Sequence, residues 1–133
     1  MWASMAPLIY VLEDDASLRE LLAEVVREEI GAELEACATM SALRAHCATR
    51  TPDLIVADFW GTSHLTLDEA ERSEISALAA MAPLILVSAR NWALGVDATE
   101  LGVVALLPKP LELEGFVGVL RTALAATPAL GSP

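Results

Sequence analysis

Pro52-Asp53-Leu54-Ile55-Val56-Ala57-Asp58 carries the clearest structural signal in the chain. Four apolar residues follow one another between a Thr51-Pro52 break and a carboxylate. The run is too short for a helix. It is apolar at every position, where a strand with one wet face would alternate. Such a run suits a β-strand buried on both faces, as in a parallel sheet. Leu8–Leu12, Leu84–Val87 and Val103–Leu107 repeat the pattern. Glu33–Cys37 alternates polar and apolar residues, so it fits an edge strand.

Helical periodicity fills the gaps between these runs. In Ser17–Ile30, Leu18, Leu21, Leu22, Val25, Val26 and Ile30 form one stripe, and Arg19, Glu20, Glu24, Arg27 and Glu28 lie opposite. Ser17 with Glu20 reads as a capping box, and Gly31 as the stop. Further helices are expected at Thr39–Ala48, Leu67–Ala80, Trp92–Leu101 and Glu112–Ala126. Asp68, Glu69 and Glu71 would sit in the first turn of the third, where the helix dipole favours negative charge. Strand and helix thus alternate five times. That order predicts an α/β fold with a five-stranded parallel sheet, helices on both faces and right-handed crossovers. At this length the flavodoxin-like strand order 2-1-3-4-5 fits, with one domain over 7–126 and a tail or linker stub over 127–133.

Bulk properties exclude several functions. The 133 residues carry a net charge of −11, with only eight basic residues. Phosphate contacts need clustered Lys and Arg, so nucleic acid is not an expected partner. The longest apolar run, Ala77–Val87, contains Pro83 and is too short to span a bilayer. No membrane association is expected, and with no basic N-terminal segment the expected location is cytoplasmic. Cys37 and Cys47, even with His46 nearby, lack the three or four convergent ligands of a zinc site. They read as small core residues in a reducing compartment.

In a parallel α/β sheet, ligands bind beyond the carboxyl ends of the strands. The residues expected there are Glu13-Asp14-Asp15, Asp58, Ser88 and Lys109-Pro110. Any one could be an ordinary loop residue, but the combination needs a joint explanation. Two carboxylates about 4 Å apart repel by roughly 4 kcal/mol at an effective dielectric of about 20. Together they need a cation, or one must stay protonated. Mg²⁺ meets that need with one or two carboxylates plus other oxygens. Lys109 adds a point charge and Ser88 a hydroxyl donor, both suited to a phosphoryl group. The set points to phosphoryl transfer with Asp58 as nucleophile.

With these segments the chain resembles the receiver domain of response regulators in bacterial two-component signalling. The matching stretches are Val11-Leu12-Glu13-Asp14-Asp15, Pro52–Asp58, Leu86-Val87-Ser88-Ala89 and Leu107-Pro108-Lys109-Pro110-Leu111, spread over roughly 7–126. The resemblance implies that Asp58 accepts a phosphoryl group from a histidine kinase or phosphotransfer protein. It implies Mg²⁺ held by Asp14, Asp58 and the Trp60 carbonyl, with Glu13 assisting. Ser88, Lys109 and the Ala89 N–H would hold the phosphoryl oxygens, and Lys109-Pro110 would be cis. It further implies a phosphoacceptor switch rather than a turnover enzyme, working through a downstream effector or output domain. A homodimer through the face made by the fourth helix, fifth strand and fifth helix is a further expectation.

Two departures stand out. The family usually carries Tyr or Phe three residues before the lysine, where its ring turns inward together with the strand 4 hydroxyl. Leu106 stands there, so the switch pair would be Ser88 and Leu106. The segment after the acceptor also differs, reading Phe59-Trp60-Gly61-Thr62-Ser63-His64. Trp60 and Trp92 could anchor an interface, and His64 reads as a solvated loop residue. The departures motivate an alternative: a degenerate receiver that docks partners without being phosphorylated. A faint echo of the haloacid-dehalogenase-like phosphatase motif in Asp58–Thr62 stops at Trp60, where that family has its general-acid Asp.

Overall fold

The computed structural model describes residues 6–58, 69–88 and 97–126. Five strands run β1 Leu8–Leu12, β2 Glu33–Cys37, β3 Leu54–Asp58, β4 Leu84–Ser88 and β5 Ala105–Pro108. All pair in parallel, in the order β2-β1-β3-β4-β5, as the alternation of runs predicts. The alternating strand, β2, takes an edge, and its partner in register is β1, from Leu8 beside Glu33 to Leu12 beside Cys37. The helices are α1 Ala16–Val25, α2 Met40–Thr49, α3 Glu69–Met81, α4 Ala98–Leu101 and α5 Leu113–Ala125.

The continuous apolar runs feed two cores, because successive strand side chains point to opposite faces. Leu8, Tyr10, Leu12, Ile55, Ala57, Leu84 and Leu86 face one layer, with Leu43 of α2, Ile75 and Leu78 of α3 and Leu101 of α4. Ile9, Val11, Leu54, Val56, Ile85 and Val87 face the other, with Leu22 of α1 and Phe116 and Leu120 of α5. Burying each large side chain contributes about 2 kcal/mol. The hydroxyl of Tyr10 enters the first layer satisfied, donating to the carbonyls of Arg50 at 2.7 Å and His46 at 3.2 Å. Both cysteines are unpaired, Cys37 buried and Cys47 half-buried. No described helix is long and apolar enough to cross a membrane.

Several boundaries differ from expectation. Asp15, not Ser17, caps α1: its backbone is extended and its side chain accepts from Leu18 N at 2.9 Å. The Asp15 N–H that a capping-box Glu would take is bound by Glu13 Oε2 at 3.1 Å. The α-helical hydrogen bonding stops at Val25, and a π-helical turn, Val26–Ile30, leads to Gly31 in the left-handed conformation. The expected Trp92–Leu101 helix does not run through Asp97, which is extended and forms a capping box with Glu100. Residues 92–96 lie outside the described residues, so only Ala98–Leu101 is seen as α4. Strand β5 begins at Ala105, not Val103, because Val103 N still bonds back to Ala98 O at the end of α4. Strands β3 and β4 each run one residue further than expected, taking in Asp58 and Ser88.

Candidate functional site

That one-residue extension matters for the site. Asp58 and Ser88 are the last residues of buried strands, so the sheet's own hydrogen bonding fixes their backbones. Leu12 pairs with Ala57, so Glu13 and Asp58 each stand one residue beyond a matched pair on neighbouring strands. Adjacent strands lie about 4.8 Å apart, which brings the two carboxyl groups together. Glu13 N donates to Cys37 O at 3.0 Å, extending the β1–β2 ladder. Lys109 follows β5 directly, its N–H bonded to Ser88 O at 2.9 Å. The Lys109-Pro110 bond is cis, as expected.

Three of the expected ligands converge. Carboxylate oxygens of Glu13, Asp14 and Asp58 all lie within 4.8 Å of one another. Glu13 is 1% exposed and Asp58 8%, while Asp14 is open to solvent. Lys109 Nζ bridges the two buried groups, 3.1 Å from Glu13 Oε1 and 3.2 Å from Asp58 Oδ2. Burial pushes the Glu13 carboxyl above its usual range, against the Asp15 N–H and Lys109, and the charge of Asp58 adds to the rise. Burial also raises Asp58, with Lys109 opposing and Asp14 adding. For Lys109 burial works against the ammonium, but the bond to Glu13 and the charge of Asp58 outweigh it and raise its pKa. Three carboxylates facing one ammonium leave an excess of negative charge when all are ionised. The donors are all hard oxygens, and the excess suits a divalent cation such as Mg²⁺. The cluster could therefore hold a metal ion.

Ser88 is 1% exposed at the same edge, one strand over from Asp58. Leu106 pairs with Leu86, half-buried against the layer formed by α2, α3 and α4. Trp60, His64, Ala89 and Trp92 lie outside the described residues.

Arg19 is a site residue the sequence reading placed elsewhere, on the solvent-facing stripe of α1. Its Nη1 donates to Glu13 O at 2.8 Å and reaches Asp14 O at 3.5 Å. The available signal was its place four residues after Asp15, since helical side chains lean toward the N-terminus. A groove of about 600 Å³ borders Lys109 on the α1 side, lined also by Leu18, Leu21, Pro110, Leu111 and Leu113.

No family model matches the sequence, and no curated protein matches it. Solved structures do resemble the fold. A pilus assembly-related protein from Burkholderia pseudomallei is 23% identical with a TM-score of 0.69, over 94% of each chain. The signal receiver domain of a LuxO repressor protein from Vibrio parahaemolyticus is 19% identical, TM-score 0.74, over 93% of this chain and 94% of that one. A response regulator from Thermotoga maritima is 12% identical, also at TM-score 0.74, over 91% and 99%. With its parallel sheet ordered 2-1-3-4-5 and these likenesses in shape, the chain has the flavodoxin-like fold of response-regulator receiver domains.

Proposed function

We propose that the protein is a phosphoacceptor switch that takes a phosphoryl group on Asp58 and signals to a protein partner. The observation that carries this reading is the setting of Asp58: a buried carboxylate at a strand end, beside Glu13 and Asp14, with Lys109 Nζ 3.2 Å away. In the reaction a carboxylate oxygen of Asp58 attacks phosphorus as the P–N bond of a donor phosphohistidine breaks. The bonding pair leaves with the imidazole, and an aspartyl phosphate forms. The Lys109 ammonium balances charge on the phosphoryl oxygens, and the Ser88 hydroxyl donates to one of them. Glu13, Asp14 and Asp58 would hold Mg²⁺, which when bound neutralises charge on the carboxylates and the phosphoryl group. One phosphoryl group is carried per chain, so no sustained turnover is expected. The apolar groove beside Lys109 suits a histidine kinase or phosphotransfer protein as donor, because such a surface can seat an amphipathic helix.

Leu106 favours a second point. An aliphatic side chain packed beside Leu86 offers no ring to turn toward Ser88, so phosphorylation would reach the partner surface by another route. If no phosphoryl group is ever accepted, the same surface would serve as a constitutive docking module.

Treatment with acetyl phosphate and Mg²⁺, followed by intact mass spectrometry, tests the proposal. The expected product is one added phosphoryl group in the wild type and none in Asp58→Asn. An unmodified wild type that still binds Mg²⁺ would favour docking alone.

A further inference from the structure

Resting on the Mg²⁺-binding role proposed for the acidic loop, we infer that Arg19 is a positioning residue that holds the loop's ligands in place. The segment Glu13–Asp15 joins β1 to α1 and carries two of the three converging carboxylates. Its ends are fixed by short bonds: Glu13 N to Cys37 O at 3.0 Å, Asp15 N to Glu13 Oε2 at 3.1 Å, and Leu18 N to Asp15 Oδ1 at 2.9 Å. Its middle is met by Arg19. One terminal nitrogen of the guanidinium lies 2.8 Å from Glu13 O and 3.5 Å from Asp14 O, so a single planar group spans both peptide carbonyls. Arg19 is itself anchored, half-buried with its N–H bonded to Asp15 O at 2.8 Å. A carboxylate follows the peptide that bears it. Holding these two carbonyls therefore limits where the Glu13 and Asp14 oxygens can move, and lowers the ordering cost of gathering them around a cation.

The sign of the electrostatics separates this role from its rival. As a charge alone, Arg19 would repel a dication and weaken its binding. As a clamp it strengthens binding despite that charge. Removing it then moves affinity in opposite directions in the two cases.

The test is titration of the full chain with Mn²⁺, followed by the electron paramagnetic resonance signal of the free ion, with Mg²⁺ as competitor. Arg19→Gln is expected to weaken Mn²⁺ binding about tenfold, the scale of lost outer-sphere support. Arg19→Lys keeps the charge but has a shorter, freely rotating ammonium, and is expected to lose about threefold. Arg121→Gln serves as a control for general loosening. It breaks the α5 contact to Glu29 O, 2.9 Å in length, without touching the loop, and should leave Mn²⁺ affinity unchanged. Tighter binding in Arg19→Gln, unchanged affinity in both Arg19 variants, or an equal loss in Arg121→Gln would each overturn the role while leaving the metal site standing. A wild type that binds neither Mn²⁺ nor Mg²⁺ would overturn the metal site itself, and the clamp with it.

Discussion

Glu13, Asp58 and Lys109 form a buried ion cluster in which each member answers for the others. Lys109 is the only described cation within ion-pair distance of the two buried carboxylates. Removing one partner from a buried pair costs more than the pair itself contributes, because the remaining charge loses its compensation. Lys109 keeps some contact with water, which tempers the loss. Lys109→Met is expected to lower the stability of the metal-free protein by about 2 kcal/mol at neutral pH. Urea unfolding in chelator checks it, and Mg²⁺ should recover part of the loss in the variant. Elsewhere, burial pushes the Cys37 thiol up to about 11 from 9.0. The native state therefore keeps a proton that the unfolded chain has lost, so this contribution is whole below pH 9 and disappears as pH rises to about 11. Unfolding midpoints at pH 8 and pH 10.5 should fall further for the wild type than for Cys37→Ala. The residue types of the site were legible in the sequence. The near-complete burial of Glu13 and the inward turn of Arg19 were not, since both depend on which way a short loop folds back over its own helix.

At the scale of elements, hydrophobic periodicity located every strand and helix among the described residues, and erred at ends where local hydrogen bonds compete. Ser17 and Asp15 are both good cap residues by type. Asp15 prevails because its N–H finds the Glu13 carboxylate and its own oxygen finds Leu18 N. Asp15→Ala is accordingly expected to cost about 1 kcal/mol, and Ser17→Ala well under half of that. Urea denaturation of the two variants, read by far-UV circular dichroism, ranks them. The reverse order would return the cap to Ser17. Asp97 gives the same lesson at α4: the extended residue with its Glu100 partner starts the helix later than the apolar pattern suggests.

The whole molecule is an acidic sandwich of two apolar layers on one sheet. A net charge of −11 on one domain means the folded chain repels itself more than the expanded one does. Raising NaCl from low to moderate concentration should therefore increase the melting temperature of the metal-free protein, as screening shortens the reach of that repulsion. A flat response in a thermal melt series would show that this repulsion does not limit the stability of the fold. The frame was legible in the local pattern: short apolar runs bounded by breaks and carboxylates, alternating five times with helical stripes, fit strands covered on both sides, with the stripes as the covers. The polar groups that follow each apolar run were legible too, although the strand boundaries themselves shifted by a residue or two where local hydrogen bonds compete. The closure of Lys109 onto Glu13, 96 residues away, and onto Asp58 comes from the folded chain alone. Periodicity is local and carries a side chain's face. The distance between side chains on different strands is set by sheet register and packing, and that is where the carboxylates, the lysine and the Arg19 clamp acquire their geometry.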